Sequence, residues 1–160
     1  MGAERALDID IAVESGDWPA EDVLHALASR AIGAALAAVD DIEGGQTVSL
    51  LFTDDDEIRD LNARFRDKDK PTNVLSFPGA EGMQMPGMPP HLGDIALAYE
   101  TIVREAEAEG KTFEDHLTHL MVHGFLHLAG YDHEEANEAE KMEGLERLIL
   151  RGLAIRDPYD

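Results

Sequence analysis

Short segments in which apolar and polar residues alternate are interleaved with stretches of helical spacing, and this restricts the fold more than any other feature of the chain. The alternating segments are LDIDIAV (7–13), QTVSLLFT (46–53) and DIALAY (94–99). A period of two predicts a β-strand with one buried face. The short VLSF (74–77) predicts a further strand after Pro71. The chain should therefore form one sheet with helices packed on it.

Capping and turn residues set the ends of the predicted helices. The first helix follows Trp18-Pro19 and extends to Val39. Thr53 is placed to N-cap the second, whose early acids suit the positive end of a helix. The third stops at Gly110. The last two should cover 112–129 and 134 to about 151, the final one burying a face made by Met142, Leu145, Leu148 and Ile149.

The predicted fold class is α+β, a single domain over residues 1–160 with a small four-stranded mixed sheet covered by about five helices. A length of 160 residues is usual for one domain. The Gly-, Pro- and Met-rich PGAEGMQMPGMPPH (78–91) predicts a loop between the third and fourth strands. The N-terminus lacks the basic flank and continuous apolar run of a signal peptide, and no apolar run is long enough to cross a membrane. We therefore expect a cytoplasmic protein with no membrane contact.

The charge is strongly acidic, with 34 Asp plus Glu against 13 Lys plus Arg and a formal net charge of −21. Such a surface repels polyanions at long range, although phosphate contacts need Lys and Arg. The basic residues are unevenly distributed along the chain, since five of them lie within twelve positions: Arg59, Arg64, Arg66, Lys68 and Lys70. This segment is the best candidate to meet a phosphate.

A cluster of histidines in MVHGFLHLAGYDH (121–133) predicts a metal site. His123 and His127 share one face of a helix because they are four residues apart. Gly130 can end that helix and let His133 approach as a third ligand. The chain has no cysteine, so a metal must be held by histidine or carboxylate. Three imidazoles leave a fourth position for water, as in catalytic zinc sites.

The other histidines fit this site less well. His119 also lies four residues from His123, but it is ~12 Å from His127 along a helix that rises about 1.5 Å per residue. Both cannot bind the same ion, and only the His123 and His127 pair lies next to the Gly130 turn. We interpret His116 and His119 as supporting or surface residues. His25 and His91 are interpreted as ordinary histidines.

The spacing matches the zinc-peptidase pattern H-E-x-x-H-x-x-G-x-x-H at every specified position except one, where Gly124 replaces the glutamate. That glutamate is the general base of those peptidases, so peptide hydrolysis lacks its proton acceptor here. A metal also lowers the pKa of bound water and neutralises charge on a phosphoryl oxygen. A guanidinium is well suited to stabilise the same charge, which directs attention to Arg64 and Arg66.

Three blocks of the sequence carry a family resemblance. LNARFRDKDKPTNVLSFP (61–78), LGDIALAYE (92–100) and HGFLHLAGYDH (123–133) closely resemble the YbeY family of bacterial metal-dependent endoribonucleases. The resemblance implies an α+β fold with a small sheet, a histidine helix like that of zincins, and zinc held by His123, His127 and His133. It also implies a functional arginine at Arg66, cleavage of single-stranded RNA, maturation of the 3′ end of small-subunit ribosomal RNA and a part in ribosome quality control.

The resulting hypothesis is a zinc-dependent endoribonuclease with one Zn²⁺ per chain, held by three histidines and a water, and with Arg66 stabilising phosphate charge. Its partners would be the small-subunit rRNA precursor and the ribosome or its basic proteins. One alternative is a ribosome-assembly factor with a structural zinc and little catalysis. A zinc metallopeptidase is a weaker alternative. Ser76, Asp94 and Asp132 are weaker candidates for the site.

Overall fold

The computed structural model describes residues 7–40, 42, 44–79, 91–131 and 135–155. These residues form four strands and five helices, in the order β1 (Asp8–Val13), α1 (Glu21–Ala37), β2 (Thr47–Thr53), α2 (Asp55–Arg66), β3 (Val74–Pro78), β4 (His91–Ala98), α3 (Tyr99–Glu109), α4 (Phe113–Leu128) and α5 (Ala136–Gly152). The predicted α+β class and its element order are confirmed.

The sheet is mixed, with strand order β1-β2-β4-β3. β1 and β4 both run parallel to β2, and β3 runs antiparallel to β4. The central register pairs Leu50 with Ile11 on one side and with Ile95 on the other. Because β3 is an edge strand, its outer side is available to line a cavity rather than to pair with another strand.

Helices cover both faces of the sheet unequally. The larger core lies between one sheet face and helices α1, α4 and α5, and its fully buried side chains include Leu50, Phe52, Ile95, Leu97, Leu117, Met121 and Phe125. A smaller cluster under α2 contains Ile58, Leu75, Ala96 and Ala98. Helix α4 is the most deeply placed helix, since it contacts α1, α3, α5, β3 and β4. The predicted histidine helix is therefore a core element that leaves only part of its surface for a site.

Two boundaries differ from the sequence predictions. Asp54, not Thr53, is the N-cap of α2, because Thr53 is still paired with Ala98 and the Asp54 carboxylate accepts the Glu57 N–H at 2.9 Å. Strand β4 begins at His91 rather than at Asp94. The pairing of β4 with β2 has a register shift at its start, which interrupts the alternation of inward and outward side chains. The first three residues of β4 therefore do not fit a period-two pattern.

Helix α5 packs most of the predicted face against the core, and Leu148 is the exception. Leu148 is 58% exposed, whereas Glu146 and Leu150 are fully buried. Met142 and Ile149 are buried as expected. The buried residues Met142, Glu146, Ile149 and Leu150 lie at the i, i+4, i+7 and i+8 positions of one helix face. One position of this buried face is therefore a carboxylate.

Two further findings complete the fold. Of the predicted loop 78–91, residues 80–90 lie outside the described part of the chain. None of the helices among the described residues is long and apolar enough to cross a membrane.

Candidate metal and phosphate site

The end of α4 places two histidines side by side. Thr112 caps the start of the helix by accepting the Asp115 N–H at 3.1 Å. At the other end Gly130 has a φ of 98°, and the Tyr131 N–H donates to the Leu126 carbonyl at 3.0 Å. This left-handed turn closes the helix directly after the predicted ligands. His123 and His127 thus occupy its last two turns.

The two imidazoles converge through their Nε2 atoms, which lie 3.1 Å apart. Each Nδ1 faces an acceptor: that of His127 is 3.1 Å from the Tyr131 carbonyl oxygen, and that of His123 contacts the Glu146 carboxylate. An acceptor at Nδ1 places the ring proton there, so in the neutral rings both Nε2 atoms carry a lone pair. Two lone pairs directed at each other favour a cation between them.

The distances fit a divalent metal. Two nitrogens at about 2.0 to 2.1 Å from a tetrahedral ion lie about 3.4 Å from each other, close to the observed separation. The acceptors at Nδ1 also fix the ring orientations, as in other histidine-ligated metal sites. Asp132, His133 and Glu134 lie outside the described residues. The third ligand, His133, therefore stays a prediction.

Glu146 is a functional candidate that the sequence reasoning missed. Its carboxylate is fully buried, contacts His123 Nδ1 and lies 3.2 Å from His119 Nε2. A buried carboxylate needs such partners to offset its lost hydration. His119, His123 and Glu146 also form a group able to hold a cation, with ligand atoms within 4.8 Å of one another. The sequence did contain a signal for Glu146, because it lies four residues after Met142 and three before Ile149 and therefore on the apolar face predicted for the last helix.

Arg66 lines the same cavity as the two histidines. A cavity of about 590 Å³ is lined by Arg66, Lys68, Thr72, Asn73, Val74, Ser76, Pro78, His123, His127, Gly130 and Tyr131. The Arg66 guanidinium donates to the carbonyls of Ser76 at 2.8 Å and Phe65 at 3.0 Å, and it lies 4.8 Å from the Phe77 ring centre. These contacts hold a positive charge in a defined position beside the histidines.

Gly124 brings α4 against β3. A Cβ at this position would lie 2.9 Å from Ile95 Cγ2, 3.1 Å from Ser76 Oγ and 3.3 Å from Val74 Cγ2. The Ser76 hydroxyl donates to the Gly124 carbonyl at 2.9 Å, which joins strand and helix directly. A glutamate has no space here, so the peptidase base is excluded by packing as well as by sequence.

Two further predicted candidates, Arg64 and Asp94, lie outside this cavity. Arg64 pairs with Asp60 at 3.3 Å on the exposed face of α2 and does not line the cavity. Asp94 lines a groove on the other side of the sheet and lies 3.2 Å from His91. His91 Nδ1 also lies 2.6 Å from the Thr47 hydroxyl, so His91 is an ordinary hydrogen-bonded histidine, as interpreted from the sequence.

A buried hydrogen-bonded group formed by His116, Glu105 and Asn73 stabilises one wall of the cavity. His116 is buried, and its Nε2 lies 2.9 Å from Glu105 Oε1. The same oxygen accepts the Asn73 side-chain N–H at 3.0 Å. Asn73 and Thr72 line the cavity, and the sequence reasoning identified neither. His116 is thus a supporting residue of the wall rather than a surface residue.

Similarity to known proteins extends over nearly the whole chain. The family model described as Endoribonuclease YbeY matches residues 11–154. A protein named Endoribonuclease YbeY from Chelativorans sp. is 65% identical over 154 residues, covering 96% of this chain and 94% of its own length. One of the same name from Rhodopseudomonas palustris is 56% identical, covering 94% of this chain and 80% of its own length.

A solved structure agrees with the fold. The solution structure of TM1509 from Thermotoga maritima is 28% identical, covers 95% of this chain and 99% of its own, and gives a TM-score of 0.53. Sequence similarity over nearly the full length and a shared fold lead to one conclusion. The chain belongs to the Endoribonuclease YbeY family.

Proposed function

We propose that the protein is a zinc-dependent endoribonuclease that cleaves single-stranded RNA, with His123, His127 and His133 as metal ligands. Family membership supports the endoribonuclease activity. One observation carries the rest of the proposal: the converging Nε2 atoms of His123 and His127 and the guanidinium of Arg66 line the same cavity. A metal cation and a fixed positive donor on one phosphate both stabilise the charge that develops during phosphodiester cleavage.

Between the two possible cation positions, burial favours the Nε2 side of His123. The His119, His123 and Glu146 group is centred on a fully buried carboxylate. The Nε2 atoms of His123 and His127 instead face the cavity. Catalytic metal sites keep one position open to solvent, whereas structural sites are closed. The position at Nε2 thus suits catalysis, with Glu146 orienting the His123 ring.

The residues of the chain have separate parts in the proposed reaction. Zinc held by His123, His127 and His133 would supply a water of lowered pKa and would neutralise charge on the phosphate. Arg66 donates to a non-bridging phosphate oxygen, and its bonds to the Ser76 and Phe65 carbonyls hold it in place before the substrate binds. Ser76 and Gly124 fix the distance between the arginine wall and the histidine wall.

The biological substrate we propose is the 3′ end of the small-subunit ribosomal RNA precursor, with a further part in ribosome quality control and contacts to the ribosome. The resemblance of the three sequence blocks supports this assignment. The charge of −21 is compatible with it, because positive potential on a small cavity admits one strand while the acidic surface suits basic ribosomal proteins. An assembly factor with a structural metal is less well supported, since the Nε2 pair opens into a cavity.

The test is RNA cleavage by purified, zinc-loaded protein with and without a chelator. We expect chelator-sensitive cutting of single-stranded RNA that His127→Ala abolishes and Arg66→Ala slows by about 10²- to 10³-fold in kcat. His25→Ala, which removes a histidine from the surface of α1, is the matched control and should cleave as the parent does.

Two results would contradict the proposal. If the zinc-loaded parent protein cuts no RNA, the proposed endoribonuclease activity is contradicted. If His127→Ala keeps the parental activity, the proposed metal site is contradicted. In cells, a strain carrying Arg66→Ala should accumulate rRNA with an immature 3′ end. Normal processing in that strain would favour the assembly factor instead.

A further inference from the structure

The turn that joins α2 to β3 places a second cation at the cavity. Lys68 lines the cavity together with Arg66, while Lys70, two residues later, does not. Both lysines are exposed. The cavity volume of about 590 Å³ falls in the range that holds drug-sized ligands, more space than one phosphate group occupies. The cavity therefore has room for more of the RNA strand than the reacting phosphate.

A buried side chain holds this turn in one conformation. Asn62 is 3% exposed, and its side-chain N–H donates to the Lys70 carbonyl at 2.9 Å. The Asn62 carbonyl accepts the Lys68 N–H at 3.2 Å. Asp67 adopts the left-handed conformation, φ 58°, that ends the helix. Lys68 therefore projects from a fixed backbone position, which lowers the ordering cost of a contact made by its side chain.

The acidic residue that directly follows Lys68 in the chain is paired with an arginine. Asp69 binds Arg59 through both carboxylate oxygens, at 2.8 and 3.3 Å. The hydrogen bond to Arg59 holds the pKa of Asp69 below its usual range, so this carboxylate stays ionised and paired. Within the described part of the chain, no acidic side chain forms an ion pair with Lys68. The positive charge of Lys68 is thus available at the cavity in a protein whose surface is mostly negative.

The residues beside Lys68 suit a phosphate or ribose oxygen. Thr72 and Asn73 also line the cavity, and the Asn73 backbone is fixed because its carbonyl accepts the Ala98 N–H at 3.0 Å. A hydroxyl, an amide and an ammonium group together resemble the donors that proteins use on nucleic-acid backbones. We propose that Lys68, with Thr72 beside it, binds a second RNA phosphate, next to the one held by Arg66. This inference rests on the proposed function.

The assignment separates Lys68 from Arg66 in function. Lys68 contributes to binding of the strand, whereas Arg66 acts on the reacting phosphate. A contact to a neighbouring phosphate is present in both the ground state and the transition state, so its loss raises KM and leaves kcat nearly unchanged. A dinucleoside monophosphate has a single phosphate, so the contact cannot contribute to its cleavage.

The experiment measures equilibrium binding of a labelled single-stranded oligoribonucleotide by fluorescence anisotropy, with chelator present to stop cleavage. Lys68→Ala should raise Kd about fivefold, or about 1 kcal/mol at 1.4 kcal/mol per factor of ten. It should also reduce the slope of log K against log salt by about 0.7, the value for one phosphate contact on a single strand. Lys70→Ala removes the same charge from the same turn outside the cavity and should match the parent. Lys68→Arg should restore binding.

A second measurement compares substrates of different length on the zinc-loaded protein. Lys68→Ala should raise KM for the oligoribonucleotide and cleave the dinucleoside monophosphate as the parent does. Equal weakening by Lys68→Ala and Lys70→Ala would overturn the inference and leave the proposed function intact. RNA that binds to the zinc-loaded protein but is not cut would overturn the proposed function. The comparison of Kd values would still test whether Lys68 contacts the RNA. Zinc-loaded parent protein that neither binds nor cuts RNA would overturn both.

Discussion

At the scale of single residues, Glu146 determines the orientation of the His123 ring in the histidine pair. The motif on α4 supplies the ring nitrogens, but the carboxylate that orients His123 comes from α5 and is fully buried. The hydrogen bond from a ligand imidazole to a carboxylate fixes the tautomer and raises the basicity of the ligand. The donor atoms of the site are local in sequence, whereas the orientation of one of them is not.

Glu146→Gln should lower zinc affinity about 10- to 100-fold, because the amide still accepts the His123 Nδ1–H but carries no charge. Glu140→Gln, which neutralises an exposed acid on α5, is the control and should bind zinc as the parent does. Affinity is measured by titration against a competing chelator. Unchanged affinity in Glu146→Gln would contradict the orienting role.

The same titration distinguishes the two possible cation positions. If zinc binds at the Nε2 atoms, His127→Ala should lose most of the affinity and His119→Ala should lose less. The reverse order would assign the ion to the group formed by His119, His123 and Glu146.

At the scale of elements, the approach of α4 to β3 builds the cavity. Gly124 permits this contact, and Ser76 bonds across it. β3 is an edge strand, so its outer side lines the cavity instead of pairing, and the Ser76 carbonyl remains available to hold Arg66. One close helix–strand contact thus sets the separation between the histidine wall and the arginine wall.

Gly124→Ala should destabilise the fold by about 1–3 kcal/mol and reduce cleavage, because the new methyl group overlaps Ile95 and Ser76 in a packed region. Gly144→Ala is the matched control. Gly144 lies in α5 with nothing within 4 Å of a built Cβ, so alanine there should stabilise the helix by about 0.5–1 kcal/mol. Urea unfolding of both variants tests the pair. Equal stability changes would show that the contact at Gly124 is not tight.

At the scale of the whole molecule, the charge of −21 opposes both folding and RNA binding, and salt should affect the two differently. Self-repulsion of like charges weakens the compact state. Salt screens that repulsion, but it also weakens phosphate contacts. The basic segment 59–70 is small enough to remain attractive only near the cavity.

Raising the salt concentration from about 0.05 M to about 0.5 M, across a several-fold change in screening length, should raise the thermal midpoint while weakening RNA binding. Thermal unfolding and anisotropy in the same buffers measure the two trends. Sodium sulfate is avoided, because it stabilises proteins by exclusion from their surface as well as by screening. A thermal midpoint that falls with added chloride would contradict the argument.

Local patterning was sufficient to predict most elements of the fold. Strand alternation and helical spacing identified all four strands and five helices among the described residues, since each period depends only on near neighbours. Errors arose where tertiary pairing overrode the local pattern. Thr53 stays in the sheet instead of capping α2, β4 starts earlier through an irregular register, and Leu148 faces solvent.

By itself the sequence determined the pairing of His123 with His127, because their spacing on a helix is a local property, and it directed attention to Arg66 through charge and resemblance. Only the tertiary structure decided that Arg66 shares a cavity with that pair, that Glu146 orients one ring and that Lys68 lines the same wall. These contacts join α2, α4 and α5 across the edge of a sheet whose strand order no local period encodes. The physical reason is that periodicity selects the face of an element, while long-range packing selects what that face meets.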